Sequence, residues 1–157
     1  MKKIFLNLIT CIFAFILIVN TANAAMFEPS KKKLKEYLTE HSLVIVKDKK
    51  PVFYEGENLE PLINAIKDGS LNDAYVSDRK IGKAAALLIT YGRAKKVYTP
   101  VISKPAIEVF KNNNINYKAD ETVENIMNTE GTDICPLEKR VRYIDGPYEA
   151  YRLIQGL

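Results

Sequence analysis

Thr132-Asp133-Ile134-Cys135-Pro136-Leu137-Glu138 sets a thiol directly before a proline and a carboxylate three residues on. Proline suits the first position of a helix, so Cys135 falls at the N-cap and Glu138 at the third helical position. From there Glu138 can reach back as in a capping box. A thiol at a helix N-terminus is a candidate nucleophile. Against that chemistry, Asp133 and Glu138 are nearby anions that disfavour a thiolate, and the segment supplies no imidazole base. A buried, inert cysteine with an ordinary cap is the alternative.

A second constellation is SDRKIGKAAALLITYG, residues 77–92. Its spacing predicts one helix, capped by Ser77 or Asp78 and stopped by Gly92. Arg79, Lys80 and Lys83 then crowd the first turn or so, where the helix dipole disfavours cations. Exposed backbone N–H groups and these three bases can converge on an anion, with Gly82 leaving room for close approach. Alternatively, two of the bases point into solvent and Gly82 serves packing. A third feature, Ser103-Lys104-Pro105, reads as an N-cap followed by proline in the first turn.

The elements that must position these residues follow from hydrophobic period and punctuation. Ser30 caps a helix with Leu34, Tyr37 and Leu38 as its apolar stripe. LVIVKD (43–48) and VFYEG (52–56) form a β-hairpin. Asn58 caps a second helix that ends at Gly69. A short strand at 74–76 precedes the basic helix. KKVYTPVI (95–102) is a strand that Pro100 either bulges or places near an edge. The helix capped by Ser103 ends at Asn112–Asn114. INYKA (115–119) is another strand, and Val123 to Met127 a helical turn or two. After the loop NTEGTD, short helices start at Cys135-Pro136 and Asp145-Gly146-Pro147. Strands alternating with helices predict an α/β sandwich around one sheet.

The chain has 157 residues, sized for one compact domain, with neither internal repeats nor low-complexity tracts. Residues 1–24 differ in kind. Lys2 and Lys3 precede an apolar run from Ile4 to Val19, and Ala22 and Ala24 form an A-x-A site. This is the pattern of a signal peptide cleaved after Ala24, placing the protein in the periplasm or outside the cell, with residues 25–157 as a single domain. An uncleaved anchor is the alternative, although the run is shorter than the ~20 residues of a spanning helix. If residues 1–24 do not direct export, the location is cytoplasmic. Cys11 lies within the apolar run instead of ending it, against lipid attachment. Of 23 basic residues, Lys2 and Lys3 leave with the signal, so 21 face 19 acidic ones, a net charge of +2. That near-neutral balance gives no support to nucleic acid as a partner, and KKKLK (31–35) reads as a solvated helix face. Cys135 is then the lone cysteine, with no intramolecular disulfide partner.

The order of elements, together with LKEYLTEHSLVIVKD, AYVSDRKIGKAAALLITYG, VYTPVISKPAIEVF and GTDICPLEKRV, resembles a family of small bacterial and archaeal proteins of unknown function that share the cytidine-deaminase-like fold. The resemblance covers residues 31–155 and implies a three-layer α/β/α sandwich with a mixed sheet. It also implies that the helix starting near Gly82 faces the pocket, and that Ser103 lies where deaminases carry their cysteine motif. Zinc deaminases carry H-x-E at one helix start and P-C-x-x-C at the next. Here those starts read GKAAA and SKPAIE, and the chain has a single histidine, His41. No metal and no cofactor is therefore expected, since zinc needs three protein ligands in such a site. The expected function is binding of a small, anionic or nucleotide-like ligand by Asp78, Arg79, Lys80, Gly82, Lys83, Ser103, Thr132, Asp133 and Glu138. The alternative is an enzyme using Cys135 as nucleophile, with Lys83 stabilising an oxyanion. Charge balance further predicts that Lys83 meets Asp133 or Glu138 across a shared pocket.

Overall fold

The computed structural model describes residues 28–156, so the signal sequence expected at residues 1–24 lies outside the described residues. Among the described residues no helix is long and apolar enough to cross a membrane. Among the described residues six strands and six helices follow one another. Helix α1 (Lys31–Glu40) is capped by Ser30, whose hydroxyl accepts the Lys33 N–H as its position predicts. Strands β1 (Leu43–Lys47) and β2 (Lys50–Tyr54) form the expected hairpin. Asp48 and Lys49 both take positive φ, the backbone of a two-residue turn matched to strand twist. Helix α2 (Glu60–Lys67) begins after Leu59, not Asn58; Asn58 instead takes a left-handed φ of 52° in the connection.

The region read as a single helix from residue 77 divides in two. Tyr75–Asp78 is strand β3 and Lys80–Ile81 is strand β4, so helix α3 (Lys83–Tyr91) starts only after Gly82. Both strands pair in parallel with β5 (Lys96–Ser103) in one continuous register. By that register Arg79, which separates them, falls opposite Pro100. Proline has no N–H to offer a ladder. The Val101 N–H turns instead to the Thr99 hydroxyl at 3.3 Å. β5 is an interior strand, because it also pairs with β6 (Asn116–Val123) on its other side. The edge position considered for Pro100 is thus excluded. Pro100 marks a break that β3 and β4 share.

Helix α4 (Lys104–Asn112) follows β5 directly, capped by Ser103 as predicted. The helical turn expected at Val123–Met127 is absent. β6 runs through to Val123, paired with Ser103, and an isolated bridge from Met127 to Ile134 closes the following loop. Short helices α5 (Pro136–Arg140) and α6 (Pro147–Ile154) end the chain where their prolines predict.

The sheet is mixed: β1 is antiparallel to β2 and β3, while β3, β4, β5 and β6 run parallel. Alternating side chains divide its two faces. Val44, Val46, Tyr75 and Tyr98 pack with Leu34 and Leu38 of α1. Leu43, Ile45, Val76 and Val97 pack with α2, α3, α4 and α6 on the other face. Residues 84–89 of α3 are all buried, so this helix is apolar all round and lies central to that layer. Its N-terminus is thereby fixed at the end of β4, beside Asp78.

Candidate functional site

Asp78 ends β3 just before the break opposite Pro100. The Lys80 N–H turns back to its Oδ1 at 3.2 Å, holding the carboxyl toward a cleft. Arg79 lines the same cleft, its Nε anchored by donation to the Leu38 carbonyl at 2.9 Å. Thus Arg79 and Lys80 are not first-turn helix residues, and the crowding of three cations expected there reduces to Lys83 alone.

The helix start itself is occupied. Glu138, projecting from α5, accepts the Lys83 N–H at 2.6 Å and the Ala84 N–H at 3.0 Å. These are orphan donors of α3, satisfied from 54 and 55 residues away in sequence. A Cβ on Gly82 would collide with the Glu138 carboxylate, so the glycine is the cradle for this contact. The capping box expected within α5 does not form. The Cys135 N–H that Glu138 would have capped already donates to the Ile126 carbonyl at 2.9 Å.

Lys83 Nζ is paired, but not with Asp133. It donates to Asp145 Oδ1 at 3.0 Å and to the Arg142 carbonyl at 2.8 Å. Asp133 is engaged by Lys139 and caps the Ile134 N–H at 2.7 Å. Thr132 is tied to Asn128 through its N–H at 2.9 Å. Both residues stabilise the 128–133 loop. Ser103 is fully buried, its hydroxyl accepting the Ala106 N–H at 3.3 Å.

What the fold does bring together is a cleft of about 700 Å³. The Gly56–Leu59 connection walls it on one side and residues 126–130 on another. Its floor holds Asp78, Gly82 and Glu138, with Arg79, Lys80 and Cys135 also in the lining. That volume lies within the range of small-molecule sites. Six of the ten residues singled out from the sequence line it. Glu138 also lines a second cleft of about 420 Å³, together with Lys83, Arg142 and Asp145. Burial pushes the Asp78 carboxyl up to about 7, against the Lys80 and Arg79 N–H groups and the Arg79 charge. Burial also raises Glu138, opposed by the Ala84 and Lys83 N–H groups and the Lys83 charge. Two carboxyls displaced upward in one cleft mark it as the candidate site.

Cys135 is half-buried and unbonded to another cysteine. His41 does not line this cleft; it pairs with Glu55 and stacks on Phe53 at 4.1 Å. Among the described residues no group of three His, Cys, Asp or Glu side chains is placed to hold a metal ion. The sequence reading missed Asn58, which is exposed in the cleft wall, and Asp145, the partner of Lys83. An asparagine between hairpin and helix, a residue type that tolerates left-handed backbone, was the available sequence signal for the first; its φ is 52°.

The fold is α/β, built on a mixed sheet, with polar groups gathered where parallel strands end and a central helix begins. Residues 30–157 match the family described as TM1506, domain of unknown function (DUF1893), and the chain belongs to that family. It is also similar to the crystal structure of a DUF1893 family protein (TM1506) from Thermotoga maritima. That match has 25% identity and a TM-score of 0.70, and covers 82% of this chain and 92% of the other. No curated protein matches.

Proposed function

We propose that this domain binds a small, anionic or nucleotide-like molecule in the Asp78–Glu138 cleft and is not a deaminase. The carrying observation is the convergence of Asp78, Arg79, Lys80 and Glu138, from two distant segments, on one cleft of small-molecule size. Carboxyls at the floor suit the N–H or O–H donors of a heterocycle or sugar. Arg79 and Lys80 suit a phosphate or carboxylate. The α3 N-terminus adds little as an anion site while Glu138 fills it, so the ligand's negative charge belongs with those two side chains.

The finer fold reading is a cytidine-deaminase-like three-layer sandwich. It is supported by one helix on the first face of the sheet, the others on the second, and a β1 strand antiparallel to its neighbours. The helix starts GKAAA and SKPAIE lack the residues of zinc deaminases, which supports binding without deamination. With residues 1–24 directing export, the ligand would be met outside the cytoplasm.

A low-salt thermal-shift screen with nucleotides, inorganic phosphate and small carboxylates tests the reading. At least one compound should raise Tm, and Arg79→Ala with Lys80→Ala should abolish the rise. No stabilisation by any compound defeats it. Cys135 in the same lining supports a second reading, an enzyme using this thiol as nucleophile. Rapid iodoacetamide labelling at neutral pH, blocked by the stabilising compound, would favour it; labelling at an ordinary thiol rate removes its motive.

A further inference from the structure

We propose that Glu138 is a latch, whose carboxylate on the Lys83 and Ala84 N–H groups holds α5 in place as a removable partition between two clefts.

The geometry has three parts. First, Glu138 lines both clefts, of about 700 and 420 Å³, so its side chain and the turn bearing it form the wall between them. Second, little else holds that wall. α5 has five residues and none is buried. Beyond Glu138, the segment is tied by partly buried Leu137 against the core and by the Lys83 contacts to Arg142 and Asp145, while its upstream end rests on the Met127–Ile134 bridge and the Cys135-to-Ile126 bond. Third, the ends are firm. Val123 closes the β6 ladder and Val141 is fully buried in the main core. A thinly packed segment between two anchored ends, with Glu138 as its tie to the α3 start, opens locally before the core does.

Opening would free the two α3 amides and join the clefts into one larger site. The contact is built for release on protonation. A carboxylate accepts two charge-assisted bonds, whereas a neutral carboxylic acid accepts them more weakly. The charged and titratable groups that share its clefts are Lys83, Arg142, Asp145 and Glu108 on one side, and Asp78, Arg79, Lys80, Glu130 and Cys135 on the other. Burial raises Glu138 above the usual carboxylate value, against the Ala84 and Lys83 N–H groups and the Lys83 charge. The latch is independent of what the cleft binds, and its test uses no ligand.

Amide hydrogen exchange on the full chain decides it. In Glu138→Gln, amides of Lys83, Ala84 and residues 135–140 should exchange roughly tenfold or more faster than in wild type. Core amides at Val97 and Phe110 should be unchanged. In wild type, the same local loss of protection should appear as pH is lowered, after correction for intrinsic exchange, and should persist in Asp78→Asn, which removes the other raised carboxyl of the cleft. This series also decides the matter should the variant not fold. Unchanged protection at residues 135–140 in both experiments overturns the proposal. So does a loss spread equally through the core, which would make Glu138 a structural cap and no latch.

Discussion

Replacing Asp78 by asparagine should make this protein more stable at pH 8. Asp78 ends β3 half-buried, and its carboxyl is pushed from an ordinary 3.8 up to about 7 by burial. Between those values the folded chain holds a proton that the unfolded chain has released. Stability therefore falls as pH rises through that window, and the full cost persists above it. At 1.36 kcal/mol per pH unit, the whole displacement corresponds to about 4 kcal/mol. Part of the side chain remains in contact with water, which reduces the expected cost to about 1–2 kcal/mol. Asparagine keeps an acceptor oxygen for the Lys80 N–H, now 3.2 Å from Oδ1, and loses only the charge.

Urea denaturation of wild type and Asp78→Asn at several pH values checks this. The variant should lead by about 1–2 kcal/mol at pH 8 and lose that lead as pH falls toward 4. Using the difference between the two proteins cancels every other titrating group. A variant less stable than wild type at pH 8, or a gap that ignores pH, would refute the reasoning. The same variant should show a smaller ligand-induced rise in Tm, because the costly carboxyl is the one placed in the cleft.

Two further outcomes follow from the same geometry. Gly82→Ala should cost about 2 kcal/mol in wild type but much less in Glu138→Ala, because the three atoms nearest the new Cβ all belong to that carboxylate; a double-mutant cycle by chemical denaturation should return a coupling of ~1–3 kcal/mol. Asp120 is held at about 2 by Lys31 and Lys35, so its contribution is present above 3.8 and lost as pH falls toward 2; Asp120→Asn should cost about 1 kcal/mol at pH 7, and thermal unfolding should show that gap closing in acid.

Local chemistry was legible where a residue acts on its own neighbours. Ser30 and Ser103 cap the helices they precede, and Pro136 and Pro147 open theirs. The hairpin follows from apolar runs either side of a two-residue turn. Misreadings occurred where a distant strand decided the outcome. Ser77 and Asp78 are good caps in isolation, and Val123–Met127 is compatible with a helical turn. Yet β5 pairs with residues 75–81 on one side and 116–123 on the other. A ladder with an interior strand satisfies backbone groups over many residues, which outweighs a single cap or a weak propensity.

The positive charges of residues 79–83 show the same dependence on distant partners. Pro100 cannot donate a hydrogen bond, so the strand opposite it breaks at Arg79. That break turns Asp78 and Lys80 toward each other and delays the helix to Lys83. The one cation left in the first turn lies beside a half-buried carboxylate on its own amide and another carboxylate on its ammonium. Neither Glu138 nor Asp145 is within fifty residues of it. An excess of positive charge in the local sequence is thus a record of acidic groups that arrive only with the tertiary fold. Their arrival leaves Arg79 and Lys80, and not the helix end, as the cations that line the larger cleft, where the proposed ligand would meet them.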